Sequence, residues 1–127
     1  MNIATKDSWK TEAMSELNAE INLNIKLTNE EFEKLKNGHI PEVMEDHWFL
    51  YYENHKFYCH RSWTGICVFV ADVLDNGEIN HAIVTRDESK YKSKNIEKDK
   101  YLLEYLIYHL IGRFEEAKEA FEKSIRL

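Results

Sequence analysis

Apolar positions along this chain fall into three regimes. Over residues 1–27 the pattern is sparse, with Trp9, Met14, Leu17, Ile21 and Ile25 near helical spacing, which predicts a loose amphipathic helix starting about Asp7. Thr28-Asn29-Glu30-Glu31 is a sharper signal: Thr28 can cap a helix and Glu31, three residues on, can close a capping box ahead of Phe32 and Leu35. That helix is expected to run to Lys36, to stop at Asn37-Gly38 on a left-handed cap, and to give way to extended chain at Pro41.

The middle of the chain reads as an antiparallel meander of three to four strands: Trp48 to Glu53, Lys56 to Arg61, Ile66 to Leu74 and Glu78 to Thr85. Asn54-His55 and Asp75-Asn76-Gly77 mark hairpin turns, because Asn and Gly accept the positive φ such turns need. A charged connection around Tyr91 follows, then Tyr101 to Ile111, apolar on nearly every side, as a long helix against the sheet. Gly112 ends it, and Phe114, Ala117, Phe121 and Ile125 form one stripe of a C-terminal helix. Gly112 to Ala117 resembles half of a tetratricopeptide unit, but no second copy follows at the roughly 34-residue period of such arrays. The fold class is α+β: a meander packed on a long apolar helix, with flanking N- and C-terminal helices, in a single domain spanning 1–127.

Charge and composition narrow the partners. The net charge of −6, from 17 basic and 23 acidic residues, disfavours duplex nucleic acid. With 43% hydrophobic and 31% charged residues, the chain has the composition of a folded protein. It shows neither a signal-type apolar stretch at its start nor the roughly 18 apolar residues of a membrane span, so no membrane partner is expected and a cytoplasmic location is. In that reducing compartment Cys59 and Cys67 are expected to be buried thiols rather than a disulfide. The all-round apolar helix predicts a homodimer, with Tyr105, Tyr108 and Ile111 as the face meeting the second copy.

Candidate chemistry gathers in Glu45 to Cys67, which holds Trp48 and Trp63, His47, His55 and His60, both cysteines and the turn Arg61-Ser62-Trp63-Thr64-Gly65. A guanidinium forks onto phosphate or carboxylate and flat rings stack on a base, so Arg61 with Trp63 and Trp48 points to a small anionic ligand. The competing reading of Arg61 is a structural cation–π pair. Ser62, Thr64 and the Gly65 backbone can complete a cradle, or simply form the turn. His60, beside Arg61, joins the candidate ligand set, as do Arg86 and Asp87, an ion pair that either closes the pocket or pins its loop. Glu45 and Asp46 are the candidate catalytic carboxylates if the site turns its ligand over; surface solvation is the alternative. No C-x-x-C or H-E-x-x-H spacing is present, so neither a metal nor another cofactor is expected. An inhibitor or protein-interaction module, with Trp63 as its hot spot, is the third class.

Glu45-Asp46-His47-Trp48-Phe49, His60-Arg61-Ser62-Trp63-Thr64-Gly65, Arg86-Asp87 and Leu110-Ile111-Gly112-Arg113 together resemble a group of small uncharacterised bacterial proteins over roughly residues 30 to 113, with the signature-bearing core at about 28–113 and the C-terminal helix at 114–127. The group's association with ADP-ribose-processing domains implies a nucleotide-derived, ADP-ribose-like ligand, and a sensing or sequestering role in conflict between bacteria and viruses. The longer C-terminal helix departs from the group and leaves any shared oligomeric state open.

Overall fold

Ile21, Leu23, Ile25 and Leu27 are buried while Glu20, Asn22, Asn24 and Lys26 are exposed, a strict period of two that makes β1 (Asn18–Lys26) a strand. This corrects the expected N-terminal helix. Ile21 and Ile25 satisfy both periods, whereas Leu23 satisfies only the strand. Ahead of β1 the computed structural model, which describes residues 3–127, has a single 3-10 turn at Lys6–Ser8.

The remaining elements are α1 (Asn29–Asn37), β2 (Trp48–Glu53), β3 (Lys56–Arg61), β4 (Cys67–Asp72), β5 (Glu78–Thr85), α2 (Ile96–Leu110) and α3 (Phe114–Arg126). All strand pairs are antiparallel, and the sheet order β1-β5-β4-β3-β2 adds a fifth strand to the predicted meander. Thr28 and Glu31 form the expected capping box on α1. Gly38 ends that helix at φ 65°, where a side chain would also run into the Leu50 carbonyl. α2 starts earlier than its apolar run, because the Asn95 side chain accepts the Glu97 and Lys98 N–H groups, each at 3.1 Å.

One sheet face carries the main core, in which Leu103, Leu106, Ile107 and Ile111 meet Ile21, Phe57, Phe69 and Val84. Each such side chain contributes about 1.5–3 kcal/mol on burial. α3 lies along α2 on small buried residues, Ala117, Ala120 and Ser124, so of its predicted stripe only Ala117 is buried and Phe114, Phe121 and Ile125 stay exposed. The face proposed for a second copy is largely covered within the chain: Ile111 is 2% exposed, Tyr105 packs on Phe121 with centroids 5.1 Å apart, and the Arg113 guanidinium lies over Tyr108. Arg113 also makes two 2.7 Å bonds to Glu31, tying α1 to the α2–α3 junction and holding that carboxyl down at about 2.

The opposite sheet face is divided. Phe49, Tyr51 and Tyr58 pack there with Ala4, Trp9 and Ile40, while Lys56, Asp72, His81 and Glu20 form a chain of ion pairs at 2.6, 2.8 and 3.1 Å. A bulge shifts the β3–β4 register, so Cys59 faces Phe69 and His60 faces Cys67, with Val68 as the extra residue. No helix among the described residues is long and apolar enough to cross a membrane.

Candidate functional site

Alternation along β3 turns Phe57, Cys59 and Arg61 toward the helix side and Tyr58 and His60 away from it. Arg61 closes the strand, so its side chain passes beyond the helix cover and is exposed. The guanidinium carbon sits 4.8 Å from the Trp48 ring centroid, and Trp48 in turn stacks on Phe69 at 6.2 Å and 26°. Trp48 therefore holds the arginine in place from within the core. Among the described residues no carboxylate pairs with Arg61.

The turn after Arg61 spends most of its polar groups internally. Gly65 N–H bonds the Arg61 carbonyl at 2.8 Å, Arg61 N–H bonds Ile66, and Ser62 N–H bonds His47. The Ser62 hydroxyl donates to the Asp46 carbonyl at 2.7 Å, and Trp9 Nε1 donates to the Ser62 carbonyl at 2.6 Å. The Gly65 carbonyl accepts from Glu12 N–H and from His60 Nδ1 at 2.9 Å, which places the imidazole proton on Nδ1. His60 and Ser62 are each 2% exposed, so neither faces a ligand from solvent, and Gly65 is buried under Lys10. Burial pushes the His60 imidazole below its ordinary pKa and leaves its Nε2 without a partner.

Trp63 stands out at 63% exposure with its indole N–H tied to the Met44 carbonyl at 3.2 Å. Its ring is the wall between two clefts. One, of about 500 Å³, is lined by His47, Arg61, Trp63, Thr64, Ile66 and Lys90; the other, of about 480 Å³, includes Trp9, Pro41, Val43 and Met44. A further cleft of about 450 Å³ lies on the other side of Arg61 and His47, between β2 and the helices, where it meets Trp48, Leu102, Tyr105, Leu110 and Phe121. His39, Glu45, Asp46 and His109 line it as well. Sequence reasoning missed Lys90 and the whole helical wall. Leu102, Tyr105 and His109 do share a helix face by spacing, but nothing in that spacing says which face borders β2.

The expected Arg86–Asp87 ion pair does not form. Arg86 bonds Asp99 at 2.6 Å, not Asp87, and Tyr91 donates to the other Asp99 oxygen at 2.9 Å; with Asp99 fully buried, this triad pins the 86–95 loop to α2. Asp87 instead accepts from Ser89 N–H and Oγ, which hold its carboxyl below the usual range. Asp46 accepts the Glu42 N–H at 2.9 Å, with His39 at 3.5 Å, and the Glu42 bond lowers its pKa, making it a weaker base than an ordinary carboxylate. Glu45 is exposed and lines the helical cleft. Both thiols are free and buried, and burial pushes Cys67 to about 12, so neither supplies a thiolate at neutral pH. Among the described residues no cluster of three His, Cys, Asp or Glu is placed to hold a metal ion. No protein-family model matches the chain, and neither does any curated protein or solved structure.

Proposed function

We propose that this protein binds a small anionic, nucleotide-derived ligand of ADP-ribose type at Arg61, as a cytoplasmic sensor or sequestering protein in conflict between bacteria and viruses. The observation that carries the reading is an exposed guanidinium, fixed over Trp48 and unpaired by any carboxylate among the described residues, at the junction of two clefts. A guanidinium lying over an aromatic ring and left without a carboxylate presents its planar fork to an incoming anion. His47 adds a donor to the same cleft and Thr64 a hydroxyl, while Lys90, also in the lining, is paired with Glu12 at 3.0 Å. Thermal shift and calorimetry over ADP-ribose, cyclic nucleotides and dinucleotides test it: a ligand raises the melting temperature by mass action, and a panel without shift or heat removes the proposal.

A second reading has its own observation. Val43, Met44 and Trp63 are 59, 73 and 63% exposed and adjoin one another through the Trp63–Met44 bond, an apolar knob suited to a protein partner. Loss of a captured partner with Trp63→Ala, while nucleotide binding persists, favours that reading. An enzymatic variant of the first reading rests on Glu45 as base and is tested by turnover of the bound nucleotide. If the protein is a homodimer, the exposed Phe114, Phe121 and Ile125 of α3 are better placed to meet a second copy than the covered Tyr108 face.

A further inference from the structure

Resting on that anionic-ligand reading, we infer that the site is bipartite: the anion lies in the Arg61–Lys90 cleft and a planar aromatic ring attached to it lies in the cleft between β2 and the α2–α3 pair. The two clefts share Arg61 and His47, so one molecule can reach both around the guanidinium. Their walls differ in charge. The lining of the first holds Arg61, unpaired among the described carboxylates, and Lys90, whose ammonium is paired with Glu12 at 3.0 Å, with no carboxylate in the lining itself, whereas the second carries Glu45 and Asp46 and would repel a phosphate. A neutral group is therefore directed to the second.

The shape and chemistry of that second wall suit a ring. Leu102, Tyr105 and Leu110 of α2 and Phe121 of α3 supply apolar and aromatic surface, and the imidazoles of His39 and His109 supply polar atoms that can meet ring nitrogens or exocyclic groups. The two signature tryptophans are less suited. Trp48 already packs on Phe69 and supports Arg61, and Trp63 is exposed at a tip with nothing described to close over a ring stacked upon it. The ligand class is thus a phosphate or diphosphate carrying a heteroaromatic ring, with the ring read by the helices rather than by the turn.

Calorimetry with ADP and with inorganic pyrophosphate decides it. On the native protein ADP is expected to bind at least about tenfold tighter than pyrophosphate, the added affinity coming from burial of the ring. Leu110→Trp, which fills the helical cleft, is expected to bring the ratio of the two affinities toward one, and Arg61→Gln to weaken both ligands. Phe121→Ala, at a site 43% exposed on α3, is expected to lower the ratio severalfold and decides the matter if Leu110→Trp does not fold. Equal affinities on the native protein, or an ADP preference untouched by both cleft variants, overturn the bipartite site while leaving the anion site standing. Failure of both probes to bind overturns the anion site itself, and the bipartite reading with it.

Discussion

His60 and Arg61 are neighbours on β3 with opposite fates. Arg61 emerges exposed at the rim of the helix-covered face, unpaired among the described carboxylates, while His60 is 2% exposed on the other face, stacked on Tyr51 at 5.6 Å and bonded to Gly65. The difference shows how a run of polar residues divides its work: one side of the strand presents chemistry to solvent, and the other stitches the turn that aims it. Ser62 repeats the buried pattern, bonded to Asp46, Trp9 and His47. The buried side holds the turn and Trp48 holds the guanidinium, so disturbing either should produce distinct signatures.

The largest effect is expected from the buried support beneath the site. Asp99→Ala leaves Arg86 and the Tyr91 hydroxyl without their shared carboxylate, and should destabilise the protein by about 3–5 kcal/mol in urea denaturation. A loss below about 1 kcal/mol would mean that the loop wall stands without the triad. Arg61→Lys should behave in the opposite way. Charge is kept but the planar fork is lost, so nucleotide binding should weaken by about 1–3 kcal/mol while stability changes by less than about 1 kcal/mol. If stability falls and affinity does not, Arg61 belongs with His60 as a structural residue.

Much of the scaffold was legible in the chain because the information was local. The strands Trp48–Glu53, Lys56–Arg61 and Glu78–Thr85 follow from short runs rich in aromatic and β-branched residues bounded by turn residues, and the Thr28 box and the Gly38 and Gly112 stops from capping chemistry. β1 was misread because Ile21 and Ile25 fit a helical period and the polar asparagines between the apolar residues resemble a loop. Its strand partner is β5, about sixty residues away, and pairing at that distance leaves no local mark. At the candidate site, Arg61 and Trp63 stand out in the sequence by their chemistry, and both prove exposed. His60, Ser62 and Gly65 could not be separated from them, since a one-residue bulge and an N-terminal segment returning over the turn decide which donors are consumed. Lys90 and the Leu102, Tyr105 and Phe121 wall depend on how α2 and α3 sit against β2, which is set by long-range packing.

A smaller effect should follow from loosening the turn without emptying it. Trp9→Phe keeps the ring against the second face but removes the donor to the Ser62 carbonyl, at a cost of about 1 kcal/mol. If the turn aims Arg61, the same change should weaken nucleotide binding as well, although Trp9 does not line the Arg61 cleft. Unaltered affinity would separate the anchoring of the turn from the aim of the guanidinium.

The smallest effect is a pair of opposed pH slopes. His81, bonded to Asp72 and Glu20, has its pKa raised chiefly by the Asp72 hydrogen bond, whereas His60 has its pKa lowered by burial. A raised folded pKa means that the His81 contribution is fully present below the unfolded value, about 6.5, and fades as pH rises through the folded one. A lowered folded pKa has the reverse sign: His60 must take its proton in the unfolded chain before it can in the folded one, so its contribution fades as pH falls below about 6.5. Proton NMR titration should therefore find the two imidazoles moving apart around the ordinary value, His81 above and His60 below. In His81→Gln the stability lost as pH rises past about 6.5 should disappear while the acid-side loss from His60 persists. Half-exposed His81 is screened by solvent and its slope will be shallow, so the titration is the sharper measurement. If His60 titrated at the ordinary value, its ring would have to be open to water, and the buried half of the comparison would fail with it.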